Sequence, residues 1–384
     1  MFPLLDGILL SFFPPRVYEA RVLLVKLDAI GDFVIWLNAG RTLVSHYQLQ
    51  GYSVVLLGNK AWASWAREMG VADEIWEVDV SRFINNYLYR WQWLKRIRKA
   101  GFEIAIQPTC SRLFLEGDSM VRASGAVERI GSAGDENNMR PMLKSWSNRW
   151  FTRLIPASRM PLMELKRNAE FMQGLGFTDF KARLPTIPRA PTEQTGWLLQ
   201  QPYAVLAPAA NWVGREWPID NFIEIGHRLA AVGLKIAVVG AAAERERVNC
   251  LIDGLPGESV DLVGKTTLGE LAEVLRSATV VLTNETGAVH IGAAVDAPVV
   301  CILGGGHFGR FVPYEIEVDD ENRNLPVAVT KSMTCFGCNW KCIYSHQKGA
   351  AVKCIEDISV EMVWKEVEIV LAKHNNKMSA RSQA

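Results

Sequence analysis

Three observations predict an α/β fold of two doubly wound domains. Short runs rich in Val, Ile and Leu alternate with helical patterns, as buried parallel strands and their covering helices do. The alternation occurs twice, on either side of a stretch from Phe180 to Pro202 in which Pro185, Pro188, Pro191 and Pro202 interrupt any periodic element. A chain of 384 residues, 49% hydrophobic and 22% charged, is also too long for one ordinary core and suits two domains of about 150 to 200 residues.

The first series opens with the apolar run Arg21 to Leu27, then Asp28-Ala29-Ile30-Gly31-Asp32, then a helical pattern from Phe33 to Tyr47. Strand, glycine turn and helix make the first half of a βαβ unit. Strands follow at Ser53 to Leu57, Glu74 to Val78 and Phe102 to Gln107, with an aromatic-rich helix, Asn85 to Ala100, before the last; its Trp91 and Trp93 read as packing residues. The second series runs strand Tyr203 to Ala207, helix Ile219 to Val232, strand Lys235 to Gly240, helix Ala243 to Asp253 and strand Val260 to Val263. It continues with helix Leu268 to Ser277, strand Ala278 to Leu282, helix Thr286 to Val295 and strand Pro298 to Leu303. A helix from Val360 to Lys373 and a polar tail, Asn375 to Ala384, expected to be disordered, close the chain. The division is thus an apolar leader over 1–20, a first domain over 21–180, a linker over 181–202, a second domain over 203–358 and a C-terminal helix and tail over 359–384. Two such domains imply a cleft, with ligands beyond the carboxyl ends of the strands.

Within the second domain, Asn284-Glu285-Thr286-Gly287-Ala288-Val289-His290 packs a strand end, a polar turn and a helix start into seven residues. Thr286 suits the cap of that helix, and Gly287 leaves its first N–H groups open to a ligand. Unsatisfied donors and the positive end of the helix dipole make an anion site there, such as a phosphate would occupy. An ordinary capped turn is the plainer reading of the same residues.

The leader, Met1 to Pro15, is apolar but carries Asp6, has no basic n-region and ends in Phe12-Phe13-Pro14-Pro15. It is neither a signal peptide nor long enough to span a bilayer, so a cytoplasmic protein is expected, with peripheral contact to the inner membrane surface open. Net charge is +1, yet seven basic residues (Arg140, Lys144, Arg149, Arg153, Arg159, Lys166, Arg167) face one acid, Glu164, between Arg140 and Arg167. That stretch suits an anionic partner or a solvated face, and no nucleic-acid partner is expected. Cys110, Cys250 and Cys301 are scattered like small core residues. Cys335-x2-Cys338-x3-Cys342-x11-Cys354 instead places four cysteines within a loop of 20 residues, as a structural zinc or iron site would; disulfides and free thiols are the alternatives.

Five motifs in order resemble glycosyltransferase family 9, which contains the ADP-heptose:lipopolysaccharide heptosyltransferases. They are Val22 to Asp32 (VLLVKLDAIGD), Arg215-Glu216-Trp217-Pro218 after Pro208-Ala209-Ala210-Asn211, Gly240 with Glu244, Gly264-Lys265-Thr266, and Asn284 to His290. The resemblance spans roughly Arg21 to Ile358. It implies the GT-B fold, with the donor on the C-terminal domain and the acceptor on the N-terminal one. It also implies an inverting transfer that needs no metal or other catalytic cofactor.

The same resemblance assigns expected roles. Asp32 matches the base that takes the acceptor hydroxyl's proton, with Asp28 its nearest competitor. Arg215, where the family often has lysine, supplies charge to the leaving diphosphate, and its fork suits two phosphate oxygens. Ala210 and Asn211 fall on the phosphate-binding loop, Thr286 and Gly287 supply donors, and Lys265 and His290 complete the donor set. Glu244 suits ribose hydroxyls or, more plainly, a first-turn helix acid. Glu285 stands where the well-known heptosyltransferases tend to have aspartate, which puts the donor sugar in question. The expected partners are a nucleotide-sugar donor and a glycan or glycolipid acceptor. The rival functions are a nucleotide-sugar epimerase of the same architecture and a non-catalytic, metal-stapled binding protein. A Rossmann oxidoreductase is disfavoured because neither Gly31 nor Gly240 stands in a G-x-G-x-x-G arrangement.

Overall fold

The computed structural model describes residues 2–14, 19–190, 202–257, 259–316 and 323–382. They fall into two compact units, Met1–Ala182 and Arg183–Ala384. Each unit is built on one six-stranded parallel sheet.

In the first unit the sheet order is β3-β2-β1-β4-β5-β6, from β1 (Glu19–Lys26), β2 (Ser53–Asn59), β3 (Glu74–Val78), β4 (Phe102–Gln107), β5 (Glu128–Ser132) and β6 (Arg153–Ile155). Leu24 of β1 lies opposite Leu56 on one side and Ile106 on the other. Val22, Leu23, Leu24 and Val25 are all buried, which is why β1 reads as an unbroken apolar run. β5 and β6 escape sequence reading because they are short and carry Glu128, Arg129 and Arg153. The helix predicted over Asn85 to Ala100 is α5 (Tyr87–Lys99), and a short helix the sequence did not announce, α4 (Val80–Asn85), precedes it. Asp79 caps α4 by accepting from Arg82 N (2.9 Å), and Asn86 caps α5 by accepting from Tyr89 N (2.9 Å).

The expected leader contains a docked helix, α1 (Phe2–Ser11), packed against α5. Asp6, the residue that spoke against a signal peptide, is buried beside Arg90, whose Nη2 lies 2.6 Å from Asp6 Oδ2. A buried guanidinium requires such a counter-ion.

The second sheet has the order β12-β11-β10-β7-β8-β9. Its strands are β7 (Tyr203–Ala207), β8 (Lys235–Val238), β9 (Val260–Asp261), β10 (Val280–Asn284), β11 (Val299–Ile302) and β12 (Val327–Val329). Leu282 of β10 lies between Leu206 of β7 and Val300 of β11. In both units the order corresponds to 3-2-1-4-5-6 of dinucleotide-binding sheets. The chain therefore reverses its winding direction between β1 and β4, and again between β7 and β10. The part of the expected linker up to Ala190 docks on the second unit, with Ile187 N donating to Ala294 O (3.3 Å) and Ala190 N to Glu273 Oε1 (3.1 Å). The rest, 191–201, lies outside the described residues. The terminal helix α14 (Val360–Ser382) runs through most of the stretch expected to be disordered, because no glycine or proline interrupts it.

Candidate functional site

The β7–β10 switch point is held together by a buried asparagine. Asn284, the last residue of β10, accepts from Trp217 N (3.1 Å) through Oδ1 and donates to Pro208 O through Nδ2. Trp217 is itself buried, its indole N–H donating to Ile358 O (2.8 Å). The loops after β7 and β10 are thus fixed to each other. Between them Arg215 ends a one-turn 3-10 segment, Val213–Arg215, and reaches Glu285. Its Nη2 donates to Glu285 O and lies 3.0 Å from Glu285 Oε2. Its Cζ stands 5.1 Å from the centre of the Trp340 ring, and its Nε is buried without a partner among the described residues.

Burial pushes the Glu285 carboxyl up, while the charge of Arg215 and its hydrogen bond pull the other way. Thr286 caps α12 (Gly287–Ala294), its hydroxyl accepting from Ala288 N (3.3 Å). Thr286, Gly287 and Ala288 are half-buried, and with Ala288 N taken by the cap, the amides of Thr286 and Gly287 are the donors this helix start has to offer a ligand. A guanidinium with an orphaned N–H and a helix start converge at the carboxyl end of the two central strands, as an anion site requires.

Most other members of the expected donor set already have partners within the chain. His290 is 5% exposed and its Nδ1 lies 2.6 Å from the Tyr314 hydroxyl. Burial, with the charge of Arg215, depresses it to about 3, so it is a neutral core histidine and not a cationic phosphate ligand. Lys265 follows the edge strand β9, three strand spacings or about 14 Å from β10. There its Nζ bonds Asp261 O (2.9 Å) and Oδ2 (2.8 Å), so the structure does not bring it to Arg215. Ala210 is buried, its N–H donating to Glu216 Oε1 (2.8 Å) and its carbonyl accepting from Arg247 Nη1 (3.1 Å), so its backbone is already satisfied. Asn211 is exposed beside it. Glu244 follows β8, where its Oε2 accepts from Ala241 N (2.7 Å), the plainer first-turn role.

The four cysteines do not assemble a cluster. Among the described residues no group of three or more His, Cys, Asp or Glu is arranged to hold a metal. Burial raises Cys354, which also lies within electrostatic reach of Cys335, Cys338 and Cys342. The loop they stand on is fastened over the glycine run after β11: Gly337 N donates to Gly305 O (2.8 Å) and Asn339 N to Gly306 O (3.0 Å). A Cβ on Gly305 would stand 2.2 Å from the Phe336 ring and one on Gly306 2.2 Å from the Trp340 ring, so glycine is what lets the loop close.

At the β1–β4 switch point of the first unit, Lys26 Nζ lies 2.7 Å from Asp28 Oδ2, which also accepts from the Thr109 hydroxyl (2.7 Å). Burial alone would lower the Lys26 ammonium, but the charges of Asp28 and Asp32 outweigh it and raise it. Asp32 is half-buried in the first turn of α2 (Ile30–Leu49), which begins three residues earlier than the sequence predicts. Across a niche from Asp28 stands Glu116, half-buried, which burial and the Asp28 charge raise to about 7.

A family model described as glycosyltransferase family 9 (heptosyltransferase) matches residues 130–337, more than half of the chain. The chain belongs to glycosyltransferase family 9. It is 24% identical over 336 residues to lipopolysaccharide heptosyltransferase 1 of Pseudomonas aeruginosa, covering 82% of this chain and 87% of that one. It is 27% identical to the Escherichia coli K12 protein of the same name, covering 74% and 88%. Its fold matches a family 9 glycosyl transferase from Veillonella parvula DSM 2008 with a TM-score of 0.73 at 16% identity, over 94% of this chain and 99% of that one. E. coli ADP-heptose lps heptosyltransferase II matches with a TM-score of 0.64 at 15% identity, over 92% and 99%. The two-domain α/β fold of the GT-B class is thus the fold of this chain, and the protein is a glycosyltransferase.

Sequence reading of this family 9 glycosyltransferase missed four residues that shape its sites. Asn284 stands in the sequence only as the start of a motif, although a polar side chain ending a buried strand signals a satisfied bridge. Glu216 sits inside a quoted motif but gives no hint that it holds Ala210. Trp340 and Glu116 carry no local signal, because only tertiary folding brings them to Arg215 and Asp28. Among the described residues no helix is long and apolar enough to cross a membrane. Of the seven basic residues, Lys144, Arg153 and Arg167 donate to the chain's own carbonyls, at Gly134, Gly174 and Ser158, while Arg140, Arg149 and Arg159 are exposed.

Proposed function

We propose that this glycosyltransferase moves heptose from ADP-heptose onto a lipopolysaccharide-core or related glycan acceptor, with inversion and without a catalytic metal. The observation that carries the reading is the anion site at the β7–β10 switch point, where Arg215 with its orphaned Nε stands beside the open start of α12. The names of the heptosyltransferase relatives supply the sugar and the acceptor.

In the proposed step Asp32 takes the proton of an acceptor hydroxyl, whose oxygen attacks the anomeric carbon from the face opposite the nucleotide. The bond from that carbon to the diphosphate oxygen breaks, and ADP leaves with the electron pair. Arg215 and the amides of Thr286 and Gly287 hold the departing charge, which fixed donors stabilise without reorganising. Glu285, gripped by Arg215, supplies acceptor oxygens to sugar hydroxyls, Asn211 reaches the phosphates, and the free lone pairs of Glu244 remain for ribose.

The four-cysteine loop is proposed as a structural zinc or iron site. The donor chemistry suits such a metal: Cys335, Cys338, Cys342 and Cys354 offer four thiols, which binding would have to draw together, and Cys354 Sγ already accepts from Gly305 N (3.3 Å), an N–H···S bond of the kind that supports a metal-bound thiolate. A metal there would cross-link the loop and take no part in transfer. Elemental analysis of the purified protein tests it, and loss of the metal in Cys338→Ser without loss of ADP affinity would separate the two roles. A peripheral membrane contact through Ile8 and Phe12, exposed on and just after α1, is tested by flotation with anionic liposomes; no binding removes it.

The decisive measurement is ADP release from ADP-heptose, with and without deacylated core oligosaccharide, for wild type and Asp32→Asn. Acceptor-dependent release that falls by about a hundredfold or more in the variant is expected. Release independent of acceptor, or full activity in Asp32→Asn, overturns the reading.

A further inference from the structure

At the β1–β4 switch point, Asp28, Gln107, Thr109, Ser111 and Glu116 supply the polar lining of a small open niche, with room at its closed end for about one hydroxyl group or water. Its chemistry is one-sided. The Thr109 hydroxyl donates to Asp28 Oδ2 (2.7 Å) and the Ser111 hydroxyl to Asp135 Oδ2 (2.7 Å), so both oxygens remain to the niche only as acceptors. Gln107 is 3% exposed, and its Oε1 is buried without a partner among the described residues. Glu116 interrupts a widened helical turn, Phe114–Asp118, at φ −106° and ψ −109°, and its carboxylate accepts no hydrogen bond from a described residue.

A lining of acceptors selects a ligand that brings O–H donors. Phosphate or carboxylate would meet Asp28 and Glu116 with like charge and contribute no proton to Gln107. Resting on the transferase reading, we propose that this niche is an acceptor subsite for an uncharged, hydroxyl-bearing sugar group, with the ionised Glu116 carboxylate and Gln107 Oε1 receiving its hydroxyl protons. Glu116 binds and orients; the proton of the attacking hydroxyl still goes to Asp32.

The electrostatics make the site pH-sensitive. Burial and the Asp28 charge raise Glu116 to about 7. The other charged groups on the elements packed around it are matched elsewhere. Lys26 pairs with Asp28, Arg112 with Asp118 and Arg90 with Asp6. Arg82 lies over the Tyr89 ring and Arg122 over the Trp150 ring, while Lys144 donates to Gly134 O. Glu116 therefore gains its charge across neutral pH, and hydroxyl binding strengthens as pH rises.

The test has two arms. In the first, saturation-transfer NMR follows neutral monosaccharides and their phosphates, at millimolar concentration, on wild type, Glu116→Gln and Asp32→Asn at pH 6 and pH 8. Neutral sugars bound by wild type and Asp32→Asn, more strongly at pH 8, with the pH response gone in Glu116→Gln, support the subsite. Preference for sugar phosphates, no binding of neutral sugars, or an unchanged response in Glu116→Gln overturns it. This arm needs no catalysis, so it stands or falls apart from the transferase reading. In the second, the acceptor KM of wild type falls about tenfold between pH 6 and pH 8, as a neutral hydrogen bond becomes charge-assisted. Glu116→Gln is expected to hold one KM across that range with its KM for ADP-heptose unchanged. A KM that still falls tenfold in the variant overturns the proposal.

Discussion

Arg215 holds Glu285 by its side chain and its main chain at once, Nη2 meeting both Oε2 (3.0 Å) and the backbone oxygen. The cation expected to meet the diphosphate is thereby fixed by the acid expected to meet the sugar. The two substitutions should then have opposite effects on nucleotide binding. Arg215→Ala removes a charged donor worth about 1.5 to 3 kcal/mol and leaves Glu285 buried alone, so ADP affinity should fall ten- to a hundredfold. The fold should lose about 3 kcal/mol or more. Glu285→Gln frees the guanidinium and should tighten ADP while weakening transfer of the intact sugar. Calorimetry with ADP and urea unfolding measure both, and equal weakening by the two changes would show that the pair acts as one unit.

Glu116 predicts a signature in stability that is independent of catalysis. Its carboxyl is raised from 4.5 to about 7 by burial and Asp28, so between those values the folded protein holds a proton that the unfolded chain has released. The stabilisation is present below about 4.5 and is lost as pH rises through about 7. The loss is on the order of 3 kcal/mol. Glu116→Gln should be the more stable form at pH 8, and the difference from wild type should shrink toward pH 5. A difference that stays constant across this range would mean that the carboxyl titrates as in solvent.

His290 predicts the opposite slope. It is depressed from 6.5 to about 3, so the unfolded chain takes up a proton that the fold refuses. Its contribution is full above about 6.5 and is lost as pH falls toward 3, by up to about 5 kcal/mol. His290→Gln should flatten the acid limb of a thermal-stability profile between pH 6 and pH 4. His307, depressed to about 4 by burial, adds to the same limb and should be replaced together with it.

The pattern of these sites explains what the sequence could and could not show. Buried parallel strands betray themselves by composition, so β1, β7, β10 and β11 were legible, as was the capped start at Thr286, whereas the strand order that sets the switch points comes only from the pairing of the strands. The short strands β5, β6 and β12 were not, because three to five residues flanked by charge carry too little pattern. The same limit applies to side chains. Arg215 and Asp32 belong to local motifs and could be named, whereas the neutral state of His290 depends on its burial and on the charge of Arg215, 75 residues earlier in the chain. The engagement of Lys265 by Asp261 lies within reach of a four-residue spacing, but nothing local tells that pair from an open lysine.

The cysteine loop should be felt at Arg215 through Trp340. Asn339 and Trp340 both take left-handed backbone (φ 50° and 60°), a conformation costly for non-glycine residues. Asn339 is held there by its N–H on Gly306 O and by its Oδ1, 2.8 Å from His307 Nε2. Trp340 consequently lies over Gly306, with its ring facing Arg215. A cation on an indole face is worth about 1 kcal/mol when partly buried, so Trp340→Ala should weaken ADP about fivefold, and Trp340→Phe by less. Gly306→Ala attacks the same contact from beneath: its new Cβ would stand 2.2 Å from the indole, forcing the ring and its loop outward. It should reproduce the loss of ADP affinity and also open the loop between Cys335 and Cys342 to limited proteolysis, which Trp340→Phe should not. If Gly306→Ala leaves both ADP binding and cleavage unchanged, the loop does not position Arg215.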